Sequence, residues 1–205
     1  MTDTVAQQRH PTSRALLVSA LSLLIGALTA WAQTVLPYSM FSLANSANGW
    51  TLVIVVLLLW AEPGVRLGAA LGAASSVLLM LGYTAGLALY GKAYDPLLWT
   101  LSSAVIGPFI GIATAWLREH GLRAALGTAA LAGVTIGESL YGLTYVREST
   151  SPVYWTVSGL AGLAFLIGML VYRIRGPHPK ALAVVSTAAV IVVFIPVYGL
   201  VGTYA

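Results

Sequence analysis

Six stretches of this 205-residue chain, at about 15–37, 66–91, 96–117, 122–146, 152–173 and 180–203, are long and apolar enough to cross a membrane. At 1.5 Å of rise per residue, each covers most or all of a hydrocarbon core about 30 Å thick. No other feature limits the fold as strongly, because lipid offers backbone N–H and C=O groups no partner and admits only self-satisfied elements such as helices. Only 8% of residues are charged and 59% are apolar, against roughly 25% charged in soluble domains. The expected fold is all-α: a polytopic transmembrane bundle of about seven helices in the lipid bilayer, with residues 1–14 as an N-terminal tail and 15–205 as a single membrane domain. Arg9, Arg14, the apolar run from Ala15 and "AWAQ" at 30–33 mimic a signal peptide, but the many apolar segments that follow favour an uncleaved first helix.

A seventh apolar segment, 50–60, decides the topology. If it crosses, Arg9, Arg14, Arg66, Arg118, Arg123, Arg173, Arg175 and Lys180 share the N-terminal side, with only Lys92 and Arg147 opposite. If it does not, the basic residues divide four against six, without clear bias. The positive-inside rule therefore favours seven crossings in the cell (inner) membrane, with a cytoplasmic N-terminus and an external C-terminus.

The chain also repeats itself. "DPLLWTLSS" (95–103) resembles "SPVYWTVSG" (151–159) at an offset of 56, and "LGAALGAA" (67–74) parallels "LRAALGTA" (122–129) at 55. "NGWTLV" (48–53) carries Trp-Thr a third time, and "LYGL" (140–143) is echoed by "VYGL" (197–200). Trp is rare enough to make three Trp-Thr pairs informative, so the pattern reads as a tandem helical hairpin used three times, with the last helix as half a unit.

The repeat exposes an anomaly. Trp99 to Trp116 and Trp155 to Tyr172 each span 17 residues, about 25 Å and a good belt-to-belt distance. Trp60 follows Trp50 after only ten. The second helix is therefore short or broken, and the polar run "FSLANSANGW" (41–50) either folds into the membrane above Trp50 or forms a helix broken near 45–49. Irregular polar backbone at that depth survives only inside protein or against a water-filled cavity, and an interrupted segment is the best pointer to a binding site in a transporter-like fold.

Glu138, in "TIGESLYGLTY", is the one carboxylate well inside a span. Such residues usually face the bundle interior and mark a solute path; a protonated Glu acting as interhelical glue is the plainer alternative. Its expected neighbours are Thr135, Ser139, Tyr141 and the amides of Asn45 and Asn48. Trp50, Tyr83 and Tyr141 lie too deep for an interfacial belt and suit the wall of a cavity holding a ring or a cation. The candidate ligand-binding set is thus Asn45, Asn48, Trp50, Tyr83, Glu138 and Tyr141. Gly68/Gly72, Gly82/Gly86 and Gly107/Gly111 read as close helix contacts.

Other functions find little support. There is no cysteine, His10, His120 and His178 lack ligand spacing, and no second buried carboxylate pairs with Glu138, so no catalytic residue, metal site or cofactor is expected. Basic residues are not gathered on one element, which argues against nucleic acid. "FSLANSANGW", the short run after it and "GPFIG" (107–111) resemble an uncharacterised family of bacterial integral membrane proteins. "NGWTLVIVVLLLWAEPGVRLGAAL" is similar to the second helix and turn of the substrate-binding membrane subunits of energy-coupling-factor vitamin importers. That resemblance implies an outward-facing, aromatic-rich site and ATPase partner subunits; seven crossings and the lack of an Ala-x-x-x-Ala motif on the first helix depart from its six-helix pattern. The expected function is binding or transport of a small solute through an outward-facing polar and aromatic cavity. The alternative is a non-transporting membrane subunit that holds a partner protein.

Overall fold

A computed structural model describes residues 11–204. The N-terminal positions 1–10, with Arg9, His10 and most of the expected tail, lie outside the described residues. Seven α-helices follow in order: α1 (Pro11–Val35), α2 (Ala47–Ala61), α3 (Val65–Leu89), α4 (Leu97–Trp116), α5 (Gly121–Thr144), α6 (Pro152–Gly168) and α7 (Pro177–Tyr204). A 3₁₀ turn, Phe41–Asn45, precedes α2, and a π-helical turn, Met169–Arg173, prolongs α6. α1 has begun by Pro11, within the stretch expected as the tail.

Five of these helices are long and apolar enough to span a membrane: α1, α3, α4, α6 with its π turn, and α7. The chain is a multi-pass membrane protein. α5 is also long enough, yet is composed largely of Gly, Ala, Thr and Ser, and twelve of its 24 residues are buried. It sits between α4, α6 and α7, so lipid does not select its composition. α2 is the short element, of 15 residues, lodged among α1, α3, α4 and α5.

The helices alternate in direction, and the basic residues identify one end. The Arg14 guanidinium donates to the Ala61 carbonyl at 3.4 Å, tying the start of α1 to the end of α2. Arg118, after α4, donates to the Pro63 carbonyl, after α2. Arg173, after α6, donates in turn to the Arg118 carbonyl at 2.6 Å. The last two contacts each join residues 55 apart, which is the spacing of the sequence repeat. Arg118 and Arg173 thus each reach back to a free carbonyl in the segment that closes the preceding unit, where a helix C-terminus leaves such groups unpaired. The ascending helices begin in the same register: Val65, Gly121 and Pro177 are 56 residues apart.

Within the hairpins, small residues allow backbones to touch. A methyl group at Gly72 or Gly111 would collide with the carbonyl of Gly107 or Gly68 on the facing helix, so α3 and α4 approach as only glycine permits. Gly82 meets the Leu23 carbonyl of α1 in the same way. In lipid, where apolar burial gives helices no reason to associate, such close packing carries the bundle.

The first unit keeps its register at the basic end and loses it at the other. Counting 56 residues back from Leu97, where α4 begins, reaches Phe41, the first residue of the 3₁₀ turn. The two missing turns of α2 are therefore present but refolded: a turn of 3₁₀ helix, a break at Ser46 in extended conformation (φ −127°, ψ 149°), then α2. Of the two geometries open to the sequence, the broken helix is the one formed.

Candidate functional site: a helix end capped by a buried carboxylate

The break leaves the N-terminus of α2 inside the bundle, and a helix start carries N–H groups that its own turns cannot satisfy. Ser46 is the N-cap, and its Oγ accepts from the Gly49 N–H at 2.9 Å. Its carbonyl accepts the Trp50 N–H at 3.2 Å. The two remaining donors point at α5. The Ala47 N–H donates to Glu138 Oε1 at 2.7 Å and the Asn48 N–H to Oε2 at 2.6 Å. Glu138 is completely buried, and six residues separate it from the end of α5 at Thr144, a depth of about 9 Å. The positive end of the α2 dipole, worth about half an elementary charge, lies directly on the carboxylate.

A shell of hydroxyls and amides surrounds this contact. Asn48 Nδ2 donates to Ser158 Oγ on α6 at 2.8 Å, and Asn48 Oδ1 accepts from Thr135 Oγ1 on α5 at 2.7 Å. The Tyr154 hydroxyl shares a hydrogen bond of 2.6 Å with Ser46 Oγ. The Tyr198 side chain, from α7, lies beside Glu138. Four elements, α2, α5, α6 and α7, thus converge on one polar knot within the bundle. Glu138 is sealed, whereas Ala47, Asn48 and Thr135 keep partial exposure on its rim.

A family model matches residues 5–203, nearly the whole chain. The protein belongs to DUF6518, a family of unknown function. No curated protein and no solved structure matches the chain, so the likeness to vitamin-importer subunits rests on the short sequence features alone.

The DUF6518 fold divides the six expected site residues among different places. Glu138 and Asn48 meet. Asn45 ends the 3₁₀ turn and is exposed, away from the carboxylate. Tyr141 does not reach Glu138; its ring packs edge-on against Tyr198 at 5.2 Å and stacks on Tyr145 at 5.1 Å, so it supports the tyrosine that does. Trp50 and Tyr83 face the other side of α2. They pack edge to face at 5.5 Å, with Tyr94 5.4 Å beyond Tyr83. Burial, with Tyr83 and Asp95 adding to it, pushes the Tyr94 phenol above its ordinary value. Gln33 joins this cluster: its Oε1 accepts from the Tyr83 hydroxyl at 3.2 Å, and its Nε2 donates to the Ala44 carbonyl at 3.1 Å. Trp50 Nε1 donates to the same carbonyl at 3.3 Å. The aromatic group therefore pins the 3₁₀ turn, while Glu138 pins the helix that follows it. Two grooves, of about 530 and 380 Å³, lie between α1 and α3 and between α1 and α2. Glu138 lines neither; of the residues expected around one cavity, Asn48 and Glu138 meet in the polar knot while Trp50 packs with Tyr83 in a separate aromatic cluster.

Of the other expected neighbours, Thr135 joins through Asn48, while the Ser139 hydroxyl turns back to the Thr135 carbonyl at 2.8 Å. Sequence reasoning missed Ser46, Tyr154, Ser158 and Tyr198. Ser46 carried a readable signal, as an N-cap residue just before an apolar run. Tyr198 sits in the "VYGL" echo of "LYGL", and the two echoed tyrosines are the pair in ring contact.

Proposed function

We propose that this DUF6518 protein binds or passes a small solute where the α2 tip meets Glu138, with the tip as the movable element and the described arrangement as the closed state. The observation that carries the reading is a helix that starts inside the bundle and is held there by a buried carboxylate 90 residues away. Discontinuous helices of this kind form the solute sites of many secondary transporters, and a carboxylate at this depth is costly enough to need a purpose. The concentration of Arg14, Arg66, Arg118, Arg123, Arg173, Arg175 and Lys180 at one end favours that end as cytoplasmic, which puts the knot in the outer half of the membrane. The role is binding, not catalysis: the knot offers one carboxylate, amides and hydroxyls.

A thermal-shift screen of small solutes on the purified chain tests this reading. The expected outcome is a solute that raises Tm in the wild type and not in Glu138→Gln. Maleimide labelling of Asn45→Cys, Lys92→Cys, His120→Cys and Arg147→Cys in the cysteine-free chain fixes the orientation. Asn45, Lys92 and Arg147 are expected to label from one side and His120 from the other.

One observation favours the second reading, a membrane subunit that holds a partner such as another membrane or ATPase subunit. Both Glu138 oxygens are satisfied within the chain, as structural glue requires. On that reading Glu138→Gln lowers Tm while no solute moves it.

A further inference from the structure

We infer that the solute taken by this site is a small planar cation carrying two N–H donors, an amidinium or guanidinium, for which the α2 tip is the resident substitute. The inference rests on the solute-site reading above and assigns its ligand class. Each Glu138 oxygen receives one N–H, and the two donors come from consecutive residues, at 2.7 and 2.6 Å. Two neighbouring N–H groups on two carboxylate oxygens reproduce the fork by which a guanidinium grips a carboxylate.

The substitute is electrostatically incomplete. A helix end supplies about half an elementary charge, and among the described residues the one salt bridge is Arg123–Glu119, at the other end of α5. The basic residues at the Glu138 end, Lys92 and Arg147, are exposed. A monocation with the same fork completes the charge that the tip only half balances. Flat cations also lie well on aromatic faces, and the carboxylate has them close by: Tyr198 beside it, with Tyr141 at 5.2 Å and Trp99 at 6.3 Å from the Tyr198 ring.

Withdrawal of the tip gives up the Asn48 bonds to Ser158 and Thr135 and the Ser46 bond to Tyr154, but leaves α2 itself intact. Its two donors are the first and second N–H groups of α2, which have no partner within the helix in any position, so withdrawal breaks no helical hydrogen bond. Ser46 already interrupts the helix, Asn45 before it is exposed, and Ala47 and Asn48 have partial exposure.

The test uses the full chain in dodecyl maltoside micelles with benzamidine as probe, against tetramethylammonium, which has no N–H, and sodium at equal ionic strength. Benzamidine is expected to raise Tm saturably by several degrees, tetramethylammonium and sodium not, and Glu138→Gln to abolish the shift. Because that variant removes a buried partner and can misfold, maleimide labelling of Asn48→Cys provides a second measurement: benzamidine is expected to speed it several-fold as the tip withdraws. Equal shifts from benzamidine and tetramethylammonium, or a benzamidine shift that survives in folded Glu138→Gln, overturn the assignment. A Glu138-dependent shift from a different solute, with none from benzamidine, overturns the cation class and leaves the solute site standing. If no solute shifts Tm and the labelling rate never changes, both fall.

Discussion

The ends of α2 and of its repeat counterparts α4 and α6 that lie away from the basic residues are built from the same kind of segment and do opposite things. α4 starts at Leu97 and α6 at Pro152, each two or three residues before its Trp-Thr, and each runs on without interruption towards the basic end. In the first unit the corresponding residues fold as a 3₁₀ turn and a break, so the first donors of α2 sit some two turns deeper. A helix that starts at the interface can leave its first N–H groups to water. One that starts inside the bundle must find acceptors there, and α5 supplies them. Glu138 stands 56 residues after Gly82, the glycine that lets α3 touch α1. At this register one ascending helix has no side chain and meets a backbone, and the next has a carboxylate and meets a helix end.

The largest expected effect comes from removing that carboxylate. Glu138→Ala leaves the partly buried Ala47 and Asn48 N–H groups without an acceptor, each worth about 1–3 kcal/mol, and should destabilise the chain by about 4 kcal/mol in reversible unfolding from micelles. A loss below about 1 kcal/mol would mean that water reaches the α2 tip, and the contrast with α4 and α6 would dissolve. Next come the arginine caps. Arg118→Ala and Arg173→Ala remove equivalent charged hydrogen bonds and should each cost about 1–2 kcal/mol, by similar amounts if the 55-residue register is a true repeat. Widely unequal losses would reduce the register to coincidence. The smallest effect sharpens the comparison most directly. Ser46→Ala should cost about 1 kcal/mol as a lost N-cap, while Ser102→Ala, 56 residues on in the unbroken α4, should change stability by less than about 0.5 kcal/mol.

Much of this was legible beforehand. The spans, the shortness of α2, the glycine contacts and the inward position of Glu138 all follow from what lipid tolerates, a constraint acting on each segment separately. Asn45 and Asn48 show where that reasoning stops. They are three residues apart in one polar run with the same side chain, yet one is exposed beyond the break and the other is bonded to Ser158 and Thr135. The break at Ser46 separates them. Trp50 and Glu138 show it again: both are deep and polar or aromatic, and α2 stands between their clusters.

By itself the sequence determined a multi-pass bundle of repeated hairpins, because the cost of an unpaired backbone in hydrocarbon fixes length, composition and spacing locally. Only the tertiary structure decided that the carboxylate of α5 closes the N-terminus of α2, and that Trp50 and Tyr83 serve a different cluster. Those choices join residues 33 to 91 positions apart, and which face of a short helix turns toward which neighbour is set by the packing of the whole bundle.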